Sequence, residues 1–292
     1  MPTLPYVTID VFTSNPLEGN QLAVFLNGDG LSTEQMQALA KETNLSETTF
    51  IMPRSFEETK EKGHRVRIFT VHEELPFAGH PTLGTAWVIR GIGGADEIIL
   101  DLNVGKVPVR FTEENGQPFG EMRQRDPEFG QIHSREEVAR VAGLRVQDIS
   151  DDVPIHTVST GMPFVVVPVA TLAALQKLSF SYQQVQQYLD KTDGKFLYFV
   201  SRETIDPAAR LHARMIFYNG EDPATGSAAG CTAAWMAMHG VAKSDERVLI
   251  EQGIETRRPS RIFVRAEKNG DHVVNVRVGG QAVEVGRGEM YF

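Results

Sequence analysis

A single cysteine, Cys231, stands in 292 residues, so an intrachain disulfide framework and a cysteine-built zinc site are both excluded. No hydrophobic run approaches the ~18 apolar residues that span a bilayer. The opening "MPTLPYVTIDVF" has no basic segment leading into an apolar one, so no secretory signal is expected. Basic residues are in deficit, 29 against 38 acidic, and the longest basic run is the pair Arg257–Arg258. A net charge of −9 argues against nucleic acid or an anionic membrane as partner. The expectation is a soluble, cytoplasmic protein in a reducing compartment.

Other signatures are missing too. The eight histidines never fall at H-E-x-x-H or a comparable spacing, so no metal is expected. "GIGG" at 91–94 is not G-x-G-x-x-G and precedes a strand, and no "GKS" or "GKT" follows a loop. "GSAAG" around Ser227 is not the G-x-S-x-G nucleophile elbow, which removes a hydrolase triad of His80, Asp222 and Ser227. No cofactor is expected.

What is present is an ordinary globular composition, 41% hydrophobic and 23% charged, enough for two domains. Strand patterns cluster at 6–12, 20–26, 65–69, 97–102 and 106–111, and again from 156 to the C-terminus. A helix is predicted over 31–44, with Ser32 and Gln35 at capping-box spacing, and another starts at Ser134 with Glu137 three residues on. Strands cluster instead of alternating strictly with helices, which predicts an α+β fold. The polar stretch 112–120 is taken as the boundary between a domain over 1–116 and one over 117–292, the last strand crossing back to the first.

Two helical segments, 80–89 and 225–239, contain no Asp, Glu, Lys or Arg. A helix apolar all round is buried. Their small residues suit a helix surrounded by sheet, one in each of two similar domains. Both follow comparable lead-ins, "ELPFAGHPTLG" and "GEDPATGSAAG". Helix starts with glycine offer unpaired N–H groups and partial positive charge, so Gly79 and Gly226 are candidate carboxylate binders. Facing one cleft, they would clamp a dianion.

One acid is out of place. In "NLSETTFI", Glu47 stands among apolar and hydroxyl residues with no Lys or Arg within five positions on either side. A carboxylate in that setting is either solvent-facing or held for proton transfer, where desolvation raises its pKa towards neutrality.

Together, "NLSETTFI", "ELPFAGHPTLGTAWV", "NGEDPATGSAAG" and "IEQGIETRRPSRIFV" resemble the PhzF family of phenazine-biosynthesis isomerases, related to diaminopimelate epimerase. The likeness runs from near residue 6 to the C-terminus. It implies two similar strand-rich barrels, each around a central helix, with the site between them. It also implies cofactor-independent proton removal and return at carbon on a small carboxylated metabolite, and a homodimer. By position, Glu47 matches the general acid/base, with His80 and Asp222 as supporting catalytic groups. Ser46, Gly79, Gly226 and Ser227 fall at the ligand-binding positions. Asp222 would orient His80 or shuttle a proton. Gln21 stands where the family often has proline after "GN", and Val71 where proline often follows "FT"; both leave the substrate open. Two other readings compete. A two-thiol epimerase needs a cysteine at each helix start, where this chain has His80 and Ser227. A non-catalytic metabolite-binding protein would not need Glu47 or His80.

Overall fold

The computed structural model describes residues 3–217 and 220–291. The chain divides into two compact units, Met1–Arg123 with Gly279–Phe292, and Gln124–Val278. The fold is mixed α and β and rich in strands.

The first unit runs β1 (Thr3–Val11), β2 (Asn20–Phe25), α1 (Thr33–Thr43), β3 (Glu47–Met52), α2 (Phe56–Lys62), β4 (His64–Phe69), β5 (Glu74–Leu75), α3 (Gly79–Gly93), β6 (Glu97–Leu102), β7 (Gly105–Glu114) and β8 (Gln117–Arg123). The second runs β9 (Glu128–Ile132), α4 (Arg135–Ala142), β10 (His156–Ser159), β11 (Pro163–Val169), α5 (Leu172–Gln176), α6 (Tyr182–Leu189), β12 (Phe196–Ser201), β13 (Ala209–Phe217), β14 (Gly220–Asp222), α7 (Gly226–Met238), β15 (Val248–Gln252), β16 (Ser260–Asn269) and β17 (His272–Gly280). The chain then returns to the first unit as β18 (Ala282–Tyr291), which lies antiparallel to β1.

Capping appears where the sequence signals it. Ser32 and Gln35 form a reciprocal capping box on α1, and the Ser134 hydroxyl accepts from the Glu137 N–H at the start of α4. The helix α2 has the same box in Ser55 and Glu58, which sequence reading passed over. The polar stretch 112–120 makes the tip of the β7–β8 hairpin within the first unit. Its Asn115 and Gly116 both have positive φ, 53° and 73°, as a tight two-residue hairpin turn requires.

In the first unit α3 packs against β1, β2, β3, β6, β7 and β8. Its first eight residues are all buried. Gly84 is where the sheet comes closest: a Cβ there would lie 2.8 Å from Ile9, Leu22 and Val11 side-chain carbons. The amphipathic α1 covers other residues of the same strands through Met36, Leu39 and Ala40. They pack on a stack in which Phe25 and Phe50 lie face to face at 4.8 Å and Phe69 meets Phe50 edge-on.

The second unit has its own core. Residues of α4, α5 and α6 pack on Val165, Val167, Leu197 and Phe199 of β11 and β12. Helix α7, buried from Gly226 to Ala237, packs against β10, β11 and β16. Among the described residues no helix is long and apolar enough to cross a membrane.

Candidate active site

Period-two geometry gathers the candidate residues of the first unit. Strands β2 and β3 run parallel with Leu22 beside Glu47, so Asn20 and Leu22 share a sheet face with Glu47 and Thr49. That face meets α3. The Thr49 hydroxyl is 2.8 Å from that of Thr85, Leu22 touches the Gly84 position, and the Asn20 amide reaches His80. The strand and helix are thereby pinned to each other one turn from the helix start.

Glu47 heads β3 and His80 is the second residue of α3. Their side chains are 17% and 4% exposed, and Glu47 Oε2 lies 3.6 Å from His80 Nε2. The other ring nitrogen, Nδ1, is 3.2 Å from the amide nitrogen of Asn20. Which of the two ring nitrogens carries the proton of the neutral imidazole depends on the tautomer. This Nε2 is buried and has no hydrogen-bond partner within the chain. Burial pushes the imidazole pKa down to about 3, against a smaller pull the other way from the Gln21 backbone. His80 is therefore neutral at physiological pH, and its contact with Glu47 is not an ion pair. The arrangement is a buried neutral imidazole, held from behind by Asn20, beside a partly shielded carboxylate.

The start of α3 is open. Ala78 is extended at the N-cap without a side-chain cap, and Pro81 has no N–H to place. The first intrahelical bond is Thr82 N–H to the Ala78 carbonyl, which leaves the Gly79 and His80 N–H groups without an intrahelical acceptor. Ser46 immediately precedes Glu47 and is half-buried.

The remaining candidate residues lie in the second unit. Asp222 ends β14, and α7 begins at Gly226 and Ser227 without a side-chain cap. All three are buried, Asp222 at 7% and Ser227 at 9% exposure. The Thr225 hydroxyl donates to Asp222 Oδ2 at 2.6 Å. Gln252 of β15 joins the two: its amide nitrogen donates to the Asp222 carbonyl and to Thr225 Oγ1, and its oxygen accepts from the Thr225 N–H. Gln124 braces the helix from another side, donating to the Gly226 carbonyl.

The structure thus brings Ser46, Glu47, Gly79 and His80 together in one unit and Asp222, Gly226 and Ser227 in the other. Asn20, Thr225 and Gln252 were not singled out in the sequence. Asn20 and Gln252 act on partners far along the chain, and no local pattern marks such a contact. Cys231 is fully buried in α7, and burial raises its thiol pKa to about 11. Among the described residues no group of three or more His, Cys, Asp or Glu side chains is arranged to hold a metal ion.

Comparison with known proteins gives the family. The family model for phenazine biosynthesis-like proteins, PhzC-PhzF, matches residues 9–288. An uncharacterized isomerase of Mesorhizobium japonicum is 38% identical, covering 100% of both chains. The trans-2,3-dihydro-3-hydroxyanthranilate isomerase of Pseudomonas chlororaphis is 36% identical, over 97% of this chain and 98% of its own. The crystal structure of the Bacillus anthracis PhzF-family phenazine biosynthesis protein superposes with a TM-score of 0.89 at 28% identity, covering 100% of both chains. A hydroxyproline epimerase from Agrobacterium vitis has a TM-score of 0.65 at 10% identity, covering 98% of this chain and 92% of its own, a likeness of fold alone. The chain belongs to the phenazine biosynthesis-like PhzC-PhzF family and is an isomerase.

Proposed function

We propose that this isomerase acts without a cofactor on a small carboxylated metabolite, with Glu47 removing a proton from one carbon and returning it to another. The observation that carries the reading is the pairing of Glu47 with His80. A partly shielded carboxylate stands 3.6 Å from a buried ring nitrogen that has no hydrogen-bond partner in the chain. A buried donor without a partner costs free energy unless a ligand satisfies it. In the Nε2–H tautomer this nitrogen donates to the negative charge that develops when Glu47 takes a proton.

In this reading the Gly79 and Gly226 N–H groups bind carboxylate oxygen at the open helix starts, with Ser46 and Ser227 supplying hydroxyls. Asp222 serves as the second polar group of the proton path. The proposal assigns both helix starts to one substrate in a cleft between two similar domains, each with strands wrapped around its central helix. It takes the working species as a homodimer, which sedimentation equilibrium tests.

A two-thiol epimerase mechanism is disfavoured by the residues themselves. His80 and Ser227 occupy the second position of each helix, and the only cysteine is buried with a raised pKa.

The substrate named for the Pseudomonas chlororaphis relative, trans-2,3-dihydro-3-hydroxyanthranilate, is the first candidate. Incubation in deuterated water with this compound and a panel of carboxylated metabolites, read by mass spectrometry, tests the chemistry. Solvent deuterium at carbon in an isomerised product supports the proposal. Tight binding without turnover across the panel contradicts it.

A further inference from the structure

We propose that Gln252 is a positioning residue that acts through the Thr225 hydroxyl to hold the Asp222 carboxylate as an ionised acceptor. This rests on the reading of Asp222 given above. The "IEQG" stretch belongs to the sequence signature but has no role in the proton chemistry so far described.

Topology brings the four residues together. Tyr198 of β12 and Asp222 of β14 pair with Met215 of β13 from its two sides, and Gln252 of β15 pairs with Ala213. Ala213 and Met215 are two residues apart on one strand, so all these side chains leave the sheet on one face. Gln252 and Tyr198 are 0% exposed and Thr225 is 4% exposed.

Every hydrogen-bonding valence of the Gln252 amide is used. Its oxygen accepts from Tyr198 Oη–H at 2.9 Å and Thr225 N–H at 3.1 Å; its nitrogen donates to the Asp222 carbonyl at 2.8 Å and Thr225 Oγ1 at 3.0 Å. A backbone N–H on one side and a backbone carbonyl on the other fix which way the amide points, since neither can change role. The direction then propagates. Thr225 Oγ1 accepts from Gln252, so its own proton goes to Asp222 Oδ2, 2.6 Å away. A hydroxyl donating to a carboxylate favours the ionised form. Tyr198 remains a donor because burial first, then the charges of Asp222 and Cys231, hold its phenol well above its ordinary range. The neighbouring Glu221 is engaged with Arg214 at 2.7 Å. Gln252 therefore decides the polarity of the Thr225 hydroxyl, and through it the protonation and rotamer of Asp222.

The test uses protein labelled with ¹³C at aspartate Cγ, with the Asp222 resonance assigned by its loss in Asp222→Asn. Thr225→Val removes the hydroxyl and keeps the shape. Gln252→Glu replaces a donor by a carboxylate, which turns the Thr225 hydroxyl towards itself and away from Asp222. Each is expected to raise the Asp222 titration midpoint by about one pH unit, the effect of one hydrogen bond to a charged group. The double variant is expected to go no further, because both changes break one path. Tyr198→Phe is the gentler variant should Gln252→Glu fail to fold. It leaves the Gln252 donors in place and is expected to leave the midpoint within a few tenths of a unit. Unchanged midpoints in Thr225→Val, or shifts that add in the double variant, overturn the inference. Full turnover in Asp222→Asn would instead refute the role given to Asp222, and the titration would still report on Gln252.

Discussion

Replacing Cys231 with alanine separates the proposed carboxylate mechanism from a thiol mechanism. The sulfur is fully buried in α7, 3.6 Å from the Thr160 hydroxyl and 3.6 Å from the Met162 carbonyl. Burial raises its pKa to about 11, partly offset by hydrogen bonds from Thr160, Phe164 and the helix backbone. At pH 7 only about one molecule in 10⁴ then carries a thiolate, far too few for a reactive base or nucleophile. Alanine loses one buried sulfur and leaves a small cavity, a destabilisation of about 1 kcal/mol. The expected result is turnover within a few-fold of wild type, a slightly lower urea midpoint, and alkylation of wild-type protein by iodoacetamide at pH 7 far slower than free cysteine. Abolished turnover in a folded Cys231→Ala protein, or alkylation at the rate of an exposed thiol, would refute this reasoning.

Two further perturbations probe the frame around the site. Gly84→Val forces a side chain against Ile9, Val11 and Leu22, whose carbons lie 2.8 Å from the new Cβ. The expected loss is about 1–3 kcal/mol by urea unfolding, with activity falling because His80 lies one turn earlier on the same helix; an unchanged midpoint would mean the helix is not so tightly enclosed. His212 is fully buried between Glu251 at 2.7 Å and Glu255 at 3.0 Å. Burial lowers its pKa, but the hydrogen bonds and charges of the two carboxylates outweigh it, so the net shift is upward from 6.5. Burial raises Glu255, but His212 and Arg214 outweigh it and the net shift is downward from 4.5. The histidine's contribution to stability is thus complete below its unfolded value of 6.5 and fades as pH rises through the raised folded value. That of Glu255 is complete above 4.5 and fades as pH falls through its lowered folded value. Urea midpoints should be highest between these limits and fall on either side of them, and His212→Gln should flatten the alkaline side; an unaltered pH profile in that variant would rule the linkage out.

Much of the architecture was legible because it depends on local rules. Hydrophobic periodicity located β6 at Glu97–Leu102 residue for residue, and capping spacing located α1 and α4. The lack of charge over 80–89 and 225–239, within α3 and α7, announced the burial of those stretches. The polar stretch 112–120 holds the turn of the β7–β8 hairpin, which the Asn115–Gly116 pair signals, and the division between the two compact units falls just beyond it, at Arg123/Gln124. Glu47 stood out as an acid among apolar and hydroxyl neighbours, and the role expected of His80 came from the family resemblance. Asn20 and Gln252 did not stand out, because a buried amide gains its meaning from partners 27 to 60 residues away. Only the folded register shows that Asn20 and Glu47 share a face, or that Gln252 and Asp222 flank the same strand.

The central claim is that Glu47 moves a proton, and Glu47→Gln tests it most directly. Glutamine keeps the volume and the hydrogen-bonding reach but cannot act as a base. General acid–base catalysis typically contributes on the order of 10²–10⁴-fold, so kcat should fall by at least ~100-fold, roughly 3–5 kcal/mol in the barrier. Binding of a substrate analogue should survive, and stability should hold level or rise, because a partly buried carboxylate is replaced by an uncharged amide. Single-turnover kinetics in deuterated water, with binding measured in parallel, should show intact affinity and lost exchange. Near wild-type exchange in the Glu47→Gln protein would contradict the account.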